Sequence, residues 1–258
     1  MRVILIPGWN EQANQMRTFI DGRNGIDGLA AFGFDCTIFP ADGDDVLRDR
    51  IDRFAAFLDT LKDREPEAFP VATLGYSVGG LVNRGFLRAY PERAGEIAAT
   101  VQIAAPNAGL ITNYLVGTMR LARVPTHVLA DIDVEAPFMT WLNGVSGTWV
   151  PDPDNPRKRR WELTGEPWTM PPGHPLLHII GRMPKYHLQS DGVVMIESAT
   201  MDGAMPCVSI DTDAANHLNL GAVSNFFATV FRRFRHDDDV WPRCVEMSAR
   251  FLRSEPIG

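Results

Sequence analysis

Cysteine is scarce in this chain of 258 residues. The three cysteines, Cys36, Cys207 and Cys244, are widely spaced and odd in number, so they indicate neither a disulfide framework nor a metal knuckle. Free thiols of this kind are typical of a reducing compartment. We therefore expect three reduced, buried thiols and a cytoplasmic protein.

Long hydrophobic runs are also missing. A membrane-spanning helix needs about 18 to 20 consecutive apolar residues, and no run of that length occurs. The N-terminal run 3–6 ends at Pro7 and Gly8, so it is too short for a signal peptide, and no cleavage site follows it. We interpret this run as a first buried strand, and we expect no integral membrane segment.

Positive charge is in the minority, with 25 lysines and arginines against 32 aspartates and glutamates, a net charge of −7 and a pI near 5.4. Such a surface repels nucleic-acid phosphates, so nucleic acid is not an expected partner. The apolar content of 45% and charged content of 22% are typical of a soluble globular protein. The length suggests one large domain or two small ones, and a single α/β domain is well within this range.

Short apolar runs alternate with amphipathic segments, a pattern typical of βαβ units on a parallel sheet. In the first 109 residues it predicts strands at 3–6, 36–39, 71–74 and 100–104, and helices at 45–64 and 81–90. Later it predicts strands at 176–180 and 207–210, and helical segments at 222–234 and 240–252. The sequence therefore predicts an α/β fold, with a mostly parallel central sheet flanked by helices in a core made of 1–109 and 176–258.

The segment 110–175 interrupts this alternation. Between Pro137 and Pro175 it holds four of the six tryptophans and eight of the nineteen prolines. Loops longer than about 15 residues inside a compact domain are usually functional or disordered, and the tryptophans argue against disorder. We expect an inserted cap or lid; the alternative is a structural excursion that covers one edge of the sheet. Its basic run, 157–160, is interpreted as a solvated surface.

The residues Gly75-Tyr76-Ser77-Val78-Gly79 fit the pattern G-x-S-x-G, with an apolar strand before it and a helical pattern after it. A serine on so tight a turn is strained, and glycine at the flanking positions lets the neighbouring backbone approach. The hydroxyl is then exposed at a helix N-terminus, where amides and the helix dipole favour a developing negative charge. Ser77 is the candidate nucleophile; the alternative is a tight packing corner.

A nucleophilic serine needs a base, which a carboxylate orients. Asp191 follows the strand predicted at 176–180, and His217 follows the strand predicted at 207–210. Both therefore come after the C-terminal end of a strand, where the ligand sites of α/β sheets are found. We take Asp191 and His217 as the candidate acid and base.

Each of these two residues has a competing interpretation. Asp191 begins an ordinary Asp-Gly turn dipeptide, and His217 could be a core histidine. Asp211 and Asp213 are the competing carboxylates, but they lie so near His217 in sequence that orienting it from behind is awkward. His236 also follows the last predicted strand, but it adjoins three aspartates, an unfavourable place for a neutral base.

Taken together, these segments resemble the α/β-hydrolase superfamily, and most of all its lipase and esterase members. The segment 4–9 matches the strand and loop that supply an oxyanion amide, and 75–80 matches the nucleophile elbow. The segment 104–109 matches a strand end common in lipases. The acid loop corresponds to 190–194 and the histidine loop to 216–220. The likeness covers about two-thirds of the chain, and the insertion 110–175 matches none of it. Pro7 departs from the family pattern, because many lipases have histidine there.

The resemblance implies a serine hydrolase that cleaves a carboxylic ester through an acyl-enzyme. Ser77 would be the nucleophile, His217 the base and Asp191 the residue that orients it, while the backbone amides of Val78 and Trp9 would hold the oxyanion. The tryptophan-rich insertion suggests a small-molecule ester with an apolar acyl or aromatic part. Neither a glycine-rich phosphate loop nor paired metal-ligand spacing occurs, so we expect no cofactor and no metal.

Two further functions are compatible with the same residues or the same fold. An acyltransferase would pass the acyl group from Ser77 to an alcohol or amine, which depends on how well the cap excludes water. A non-catalytic binding protein would keep the fold without the chemistry. The intact order of Ser77, Asp191 and His217 argues against this second function.

Overall fold

The computed structural model describes residues 1–8, 13–41, 45–111, 126–152, 159–183, 191, 193–201, 203–212, 215, 220 and 240–257. The strands in this part of the chain are β1 (Arg2–Ile6), β2 (Asp35–Ile38), β3 (Val71–Tyr76), β4 (Ile97–Ile103), β5 (Gly147–Pro151), β6 (Arg159–Leu163), β7 (Leu176–Arg182) and β8 (Val208–Asp211). The helices are α1 (Ala13–Asp21), α2 (Leu47–Arg64), α3 (Val78–Ala89), α4 (Thr126–Ile132), α5 (Pro137–Asn143), α6 (Ile196–Thr200) and α7 (Val240–Leu252). None of these helices has both the length and the apolar character that crossing a bilayer requires.

Six of the described strands form one sheet in the order β2-β1-β3-β4-β7-β8. Every neighbouring pair in this sheet is parallel, which confirms the predicted parallel arrangement. The carboxyl ends of all six strands therefore meet at one edge. The strand order reverses between β1 and β3, since β2 lies on one side of β1 and β3 on the other. Open α/β sheets bind their ligands at such a reversal, just beyond the carboxyl ends of the strands.

Hydrophobic layers cover both faces of the sheet. In β1, Val3 and Leu5 belong to one layer and Ile4 and Ile6 to the other, as side chains alternate along a strand. Helices α1 and α7 pack on the first layer, and α2 to α5 pack on the second. This burial on both sides explains why residues 3–6 are an unbroken apolar run rather than an alternating one.

Most of the predicted elements are present with shifted ends. The helix predicted at 45–64 begins at Leu47, and the segment 240–252 coincides with α7. Helix α1 is missing from the predictions, although Met16, Phe19 and Ile20 have the i, i+3, i+4 spacing of a helix face. In the structure Met16 and Phe19 are fully buried. The helix predicted at 222–234 lies outside the described residues.

The described residues of the insertion 110–175 form α4, α5 and an antiparallel hairpin of β5 and β6. None of these described elements joins the six-stranded sheet, so they break the alternation as the sequence predicts. Helices α4 and α5 add Val128, Ile132, Met139 and Leu142 to the hydrophobic layer that contains α2 and α3. The division into core and insertion, and the role of the insertion as a cap or lid, stay predictions.

Candidate active site

Ser77 occupies the turn between β3 and α3, where the G-x-S-x-G pattern places it. Its backbone has φ 52° and ψ −122°, a conformation that costs a residue other than glycine on the order of 1–3 kcal/mol. Two hydrogen bonds hold the turn: the Ser77 amide donates to the Ile103 carbonyl at 2.8 Å, and the Gly80 amide donates to the Ser77 carbonyl at 3.0 Å. The turn is therefore fixed to strand β4 and to the first turn of α3.

The glycines on either side of Ser77 are required by close backbone packing. A Cβ atom on Gly75 would lie 2.6 Å from the carbonyl oxygen of Gly79. A Cβ atom on Gly79 would lie 2.7 Å from the carbonyl oxygen of Pro7. Helix α3 therefore rests directly on the ends of β1 and β3, and Ser77 stays partly exposed at that junction.

Helix α3 begins at Val78, the residue after the candidate nucleophile. The first amides of a helix have no partner within it, and the helix dipole makes that end partly positive. Gly8, at the end of the described loop after β1, lies beside the turn: a Cβ atom on it would be 3.4 Å from Ser77 Cβ. The carboxyl ends of β1 and β3 thus bring Gly8 and Ser77 together where the strand order reverses. Trp9, the second predicted oxyanion donor, lies outside the described residues.

Asp191, the candidate acid, is buried after β7. Its Oδ1 accepts hydrogen bonds from the backbone amides of Val193 at 2.9 Å and Val194 at 2.7 Å. The Asp191 amide donates to the Val194 carbonyl at 3.2 Å. A carboxylate withdrawn from water needs donors of this kind. The turn therefore supplies two donors to Oδ1 and holds the carboxylate in a fixed orientation.

His217, the candidate base, lies outside the described residues, but residues on both sides of it are placed. A Cβ atom on Gly181 of β7 would lie 2.8 Å from Leu220 Cδ1 and 3.1 Å from the carbonyl carbon of Ala215. Ala215 and Leu220 therefore both lie against the carboxyl end of β7. These two residues, which flank His217 in the sequence, therefore lie beside the strand that precedes the candidate acid.

Asp211, which competes with Asp191 for the role of the acid, ends β8 and forms an ion pair with Arg182 of β7. Burial acts to raise the pKa of Asp211, but hydrogen bonds from Arg182 and Ser209 and the charge of Arg182 outweigh it and lower the pKa. Asp211 is therefore engaged in cross-strand pairing. Asp213 and His236 lie outside the described residues.

A buried polar network lies behind the nucleophile turn, and the sequence patterns did not predict it. The Gln102 side chain of β4 donates to the Gly80 carbonyl at 3.0 Å and accepts a hydrogen bond from the Asn107 side chain at 3.0 Å. The Asn107 amide group also donates to the Ala199 carbonyl at 3.0 Å. These bonds join the first turn of α3, the turn after β4 and helix α6. A polar residue within an apolar strand, as Gln102 is, was the signal that could have revealed the network.

His178 of β7 borders this network, with its Nδ1 3.4 Å from the Asn107 side-chain nitrogen. Burial, helped by the charge of Arg84, lowers the pKa of His178 to about 3. The imidazole is therefore neutral in the folded protein near neutral pH. Because it is fully enclosed within the sheet, His178 is a structural group rather than a rival base.

Arg84 of α3 binds the described part of the segment 110–175. It is fully buried, and it donates to four carbonyls: Asn107 at 2.9 Å, Thr169 at 3.0 Å, Leu142 at 3.3 Å, and Trp168. It also donates to two side-chain oxygens, Asn143 Oδ1 at 2.7 Å and Asn107 Oδ1 at 3.5 Å. Burial lowers the pKa of Arg84 to about 9, and the nearby charge of Arg88 adds to this effect. Arg48 of α2 also lies over the Trp141 ring, 4.1 Å from its centre. Arginines of α2 and α3 thus hold the described part of the insertion.

No protein-family profile and no curated protein matches the sequence. Several solved structures are similar. A metagenomic carboxyl esterase matches with a TM-score of 0.63 and 14% identity over 98% of this chain and 76% of its own. The mature lipase BlEst2 from Bacillus licheniformis matches with a TM-score of 0.58 and 14% identity over 90% of each chain. Phospholipase PlaB from Legionella pneumophila matches with a TM-score of 0.57 and 15% identity over 97% of this chain and 60% of its own. At these identities the likeness concerns the fold, and it extends over nearly the whole chain.

Proposed function

We propose that this chain, which has the α/β-hydrolase fold that its motifs predict, is a serine hydrolase that cleaves a carboxylic ester. In this proposal Ser77 is the nucleophile, His217 the base and Asp191 the residue that orients the base. The backbone amides of Val78 and Trp9 form the oxyanion hole. The esterase, lipase and phospholipase that share the fold support hydrolase chemistry of this type.

The backbone of Ser77 is the observation that carries the proposal. A packing corner needs the close approach of Gly75 and Gly79, but it does not need a serine at φ 52° between them. Glycine would adopt that conformation without strain. A strained serine that is partly exposed at a helix N-terminus is explained when its hydroxyl reacts.

The proposed reaction has two stages. Ser77 Oγ attacks the ester carbonyl while His217 removes its proton, and the alcohol then leaves with that proton. Water, activated by His217, attacks the acyl-enzyme and releases the acid. Asp191 keeps the imidazole in the required tautomer and stabilises the imidazolium. Each oxyanion donor contributes about 100- to 1000-fold in rate, because the negative charge develops only in the transition state.

The substrate in this proposal is a small-molecule ester with an apolar acyl or aromatic part. The support for this part of the proposal is that apolar residues surround the turn. Val78 directly follows Ser77, and Ala104 directly follows Ile103, whose carbonyl accepts the hydrogen bond from the Ser77 amide. The tryptophans of the segment 110–175 give less support for an apolar substrate than their number suggests. Trp149 and Trp161 pack on each other with ring centres 5.4 Å apart, which explains them as packing groups.

The test is hydrolysis of p-nitrophenyl esters, from acetate to palmitate, by the wild type and two serine variants. Ser77→Ala should lower the rate by about 10,000-fold or more, since it removes the nucleophile. Ser248→Ala is the matched control, because Ser248 is a fully buried serine of α7 whose hydroxyl donates to the Cys244 carbonyl at 2.6 Å. It should keep the wild-type rate.

Fluorophosphonate labelling and an added alcohol separate the competing functions. A wild type that neither hydrolyses any ester nor reacts with the fluorophosphonate would contradict the proposal and favour a binding protein. Labelling at Ser77 without turnover would mean that the ester series lacks the right substrate. Ester products that outweigh free acid when an alcohol is present would identify an acyltransferase instead.

A further inference from the structure

Arg50 of α2 is a fully buried arginine in an apolar layer. The buried face of α2 is otherwise formed by aliphatic and aromatic residues such as Leu47, Ile51 and Phe54. Withdrawing a guanidinium from water is expensive unless it finds good acceptors. The Arg50 Nη1 donates to the carbonyl oxygen of Gly8 at 3.2 Å. A charged side chain from α2 therefore reaches the loop that follows β1.

The Gly8 carbonyl occupies a critical place. It belongs to the peptide group that joins Gly8 to Trp9, and a trans peptide is planar, with its C=O and N–H on opposite sides. A hydrogen bond that fixes the direction of the carbonyl therefore also fixes the direction of the amide. Gly8 lies next to the nucleophile turn, since a Cβ atom on it would be 3.4 Å from Ser77 Cβ.

We infer that Arg50 is a positioning residue for the oxyanion hole. By holding the Gly8 carbonyl, Arg50 fixes the orientation of the peptide group that follows Gly8, whose N–H is the second donor of the proposed oxyanion hole. The inference rests on the proposed function, because only acyl transfer through Ser77 creates that oxyanion.

Arginine suits this role for two physical reasons. Its guanidinium stays charged and presents its donors in a rigid planar fork, so it fixes an acceptor better than a flexible ammonium group does. A cation bound to the carbonyl side of a peptide also polarises it, which makes the N–H on the other side a stronger donor. Both effects act in the transition state, when the oxyanion needs its donors.

The experiment compares Arg50→Met, Arg50→Lys and Arg53→Met. Arg53 is the matched control, because it lies on the same helix and donates to a carbonyl, that of Pro40 at 3.2 Å, but it is only partly buried and also forms an ion pair with Asp45. Initial rates with a p-nitrophenyl ester give kcat and KM, with the concentration of sites set by fluorophosphonate titration of Ser77. Titration removes any contribution from unfolded protein. The affinity for an alkyl boronic acid, which forms an anionic tetrahedral adduct with a reactive serine, is measured in parallel.

Arg50→Met should lower kcat by about 10- to 100-fold with KM nearly unchanged, because the second donor is misdirected rather than deleted. The boronic acid should bind more weakly by a similar factor. Arg50→Lys should recover part of both losses, since its ammonium can still donate to the Gly8 carbonyl. Arg53→Met should match the wild type.

Wild-type kcat and boronate affinity in Arg50→Met would overturn the inference while leaving the proposed function intact. A fall in KM and kcat together, without weaker boronate binding, would also overturn it. If Arg50→Met does not fold, Arg50→Lys decides: reduced kcat with weaker boronate binding supports the role, and wild-type values overturn it. A wild type without turnover or labelling would remove the proposed function, and the oxyanion role of Arg50 with it.

Discussion

Gly79 of α3 contacts Ile6 of β1 through the backbone alone: a Cβ atom on Gly79 would lie 2.8 Å from the Ile6 carbonyl carbon and closer still to its oxygen. Both partners are main chain, so no side-chain rotation could relieve such a clash. The contact sets how deeply the start of α3 sits against the strand reversal. It therefore also sets where Ser77 lies relative to the loop after β1.

Replacing Gly79 by alanine should destabilise the protein. In a helix interior this change normally stabilises by about 0.8–1 kcal/mol, but the clash should reverse the sign and lower the free energy of unfolding by about 1–3 kcal/mol. Urea unfolding measures the difference. Gly95→Ala is the control, because no neighbouring atom lies within 4 Å of a Cβ atom there. Equal stability of the two variants would mean that α3 does not rest on β1 as described.

Asparagine substitutions should separate the candidate acid from its rival. Asp191→Asn keeps an oxygen for the Val193 and Val194 amides, so the turn should survive. It loses the charge that orients the base, and kcat for a p-nitrophenyl ester should fall about 10,000-fold.

Asp211→Asn is the matched control for that experiment. It removes a partly exposed ion pair with Arg182, which should cost less than about 1 kcal/mol of stability. Its kcat should stay at the wild-type value. The reverse ranking of the two variants would make Asp211 the acid.

His178 should make the protein less stable in acid. Its pKa is about 3 in the folded protein, because of burial and the charge of Arg84, against an ordinary value of 6.5. Between these two values the unfolded chain binds a proton that the folded protein excludes, so the free energy of unfolding falls as the pH falls, by about 1.4 kcal/mol per pH unit. His178→Gln should remove this component from the pH dependence measured by urea unfolding.

A half-buried histidine provides the comparison for His178. Burial also lowers the pKa of His174, so His174→Gln should flatten the same pH profile, but by less. If His178→Gln left the slope unchanged, the imidazole would be protonated in the folded protein. The full burial of the His178 side chain would then be incorrect.

Local patterns were enough to predict the frame of this fold. The unbroken apolar run at 3–6 identified β1, and the amphipathic spacing at 240–252 identified α7 with its ends. Helix α3 begins at Val78 rather than at the predicted 81. The sequence pattern missed this first turn because Gly79 and Gly80 have low helix propensity. In the structure both glycines are helical because neighbouring atoms pack too closely for a larger residue. Tertiary contact overrides propensity at that point.

The contacts between distant segments could not be predicted in this way. Gln102 reaches Gly80, and Arg50 reaches Gly8, across intervals of 22 and 42 residues. The sequence next to a buried polar residue does not indicate which carbonyl its side chain will bind. The sequence can show that such a residue needs a partner, and only the packing of strands and helices selects which one.

Arg84 has a consequence for how this protein can diverge. Within the insertion it binds the main-chain oxygens of Leu142, Trp168 and Thr169, together with the side chain of Asn143. Every residue type has a carbonyl, so substitutions at 142, 168 and 169 change the side chains that the insertion presents without removing those attachment points. The segment 110–175 can therefore change its side chains at these positions while its attachment to α3, the helix that follows Ser77, stays as it is.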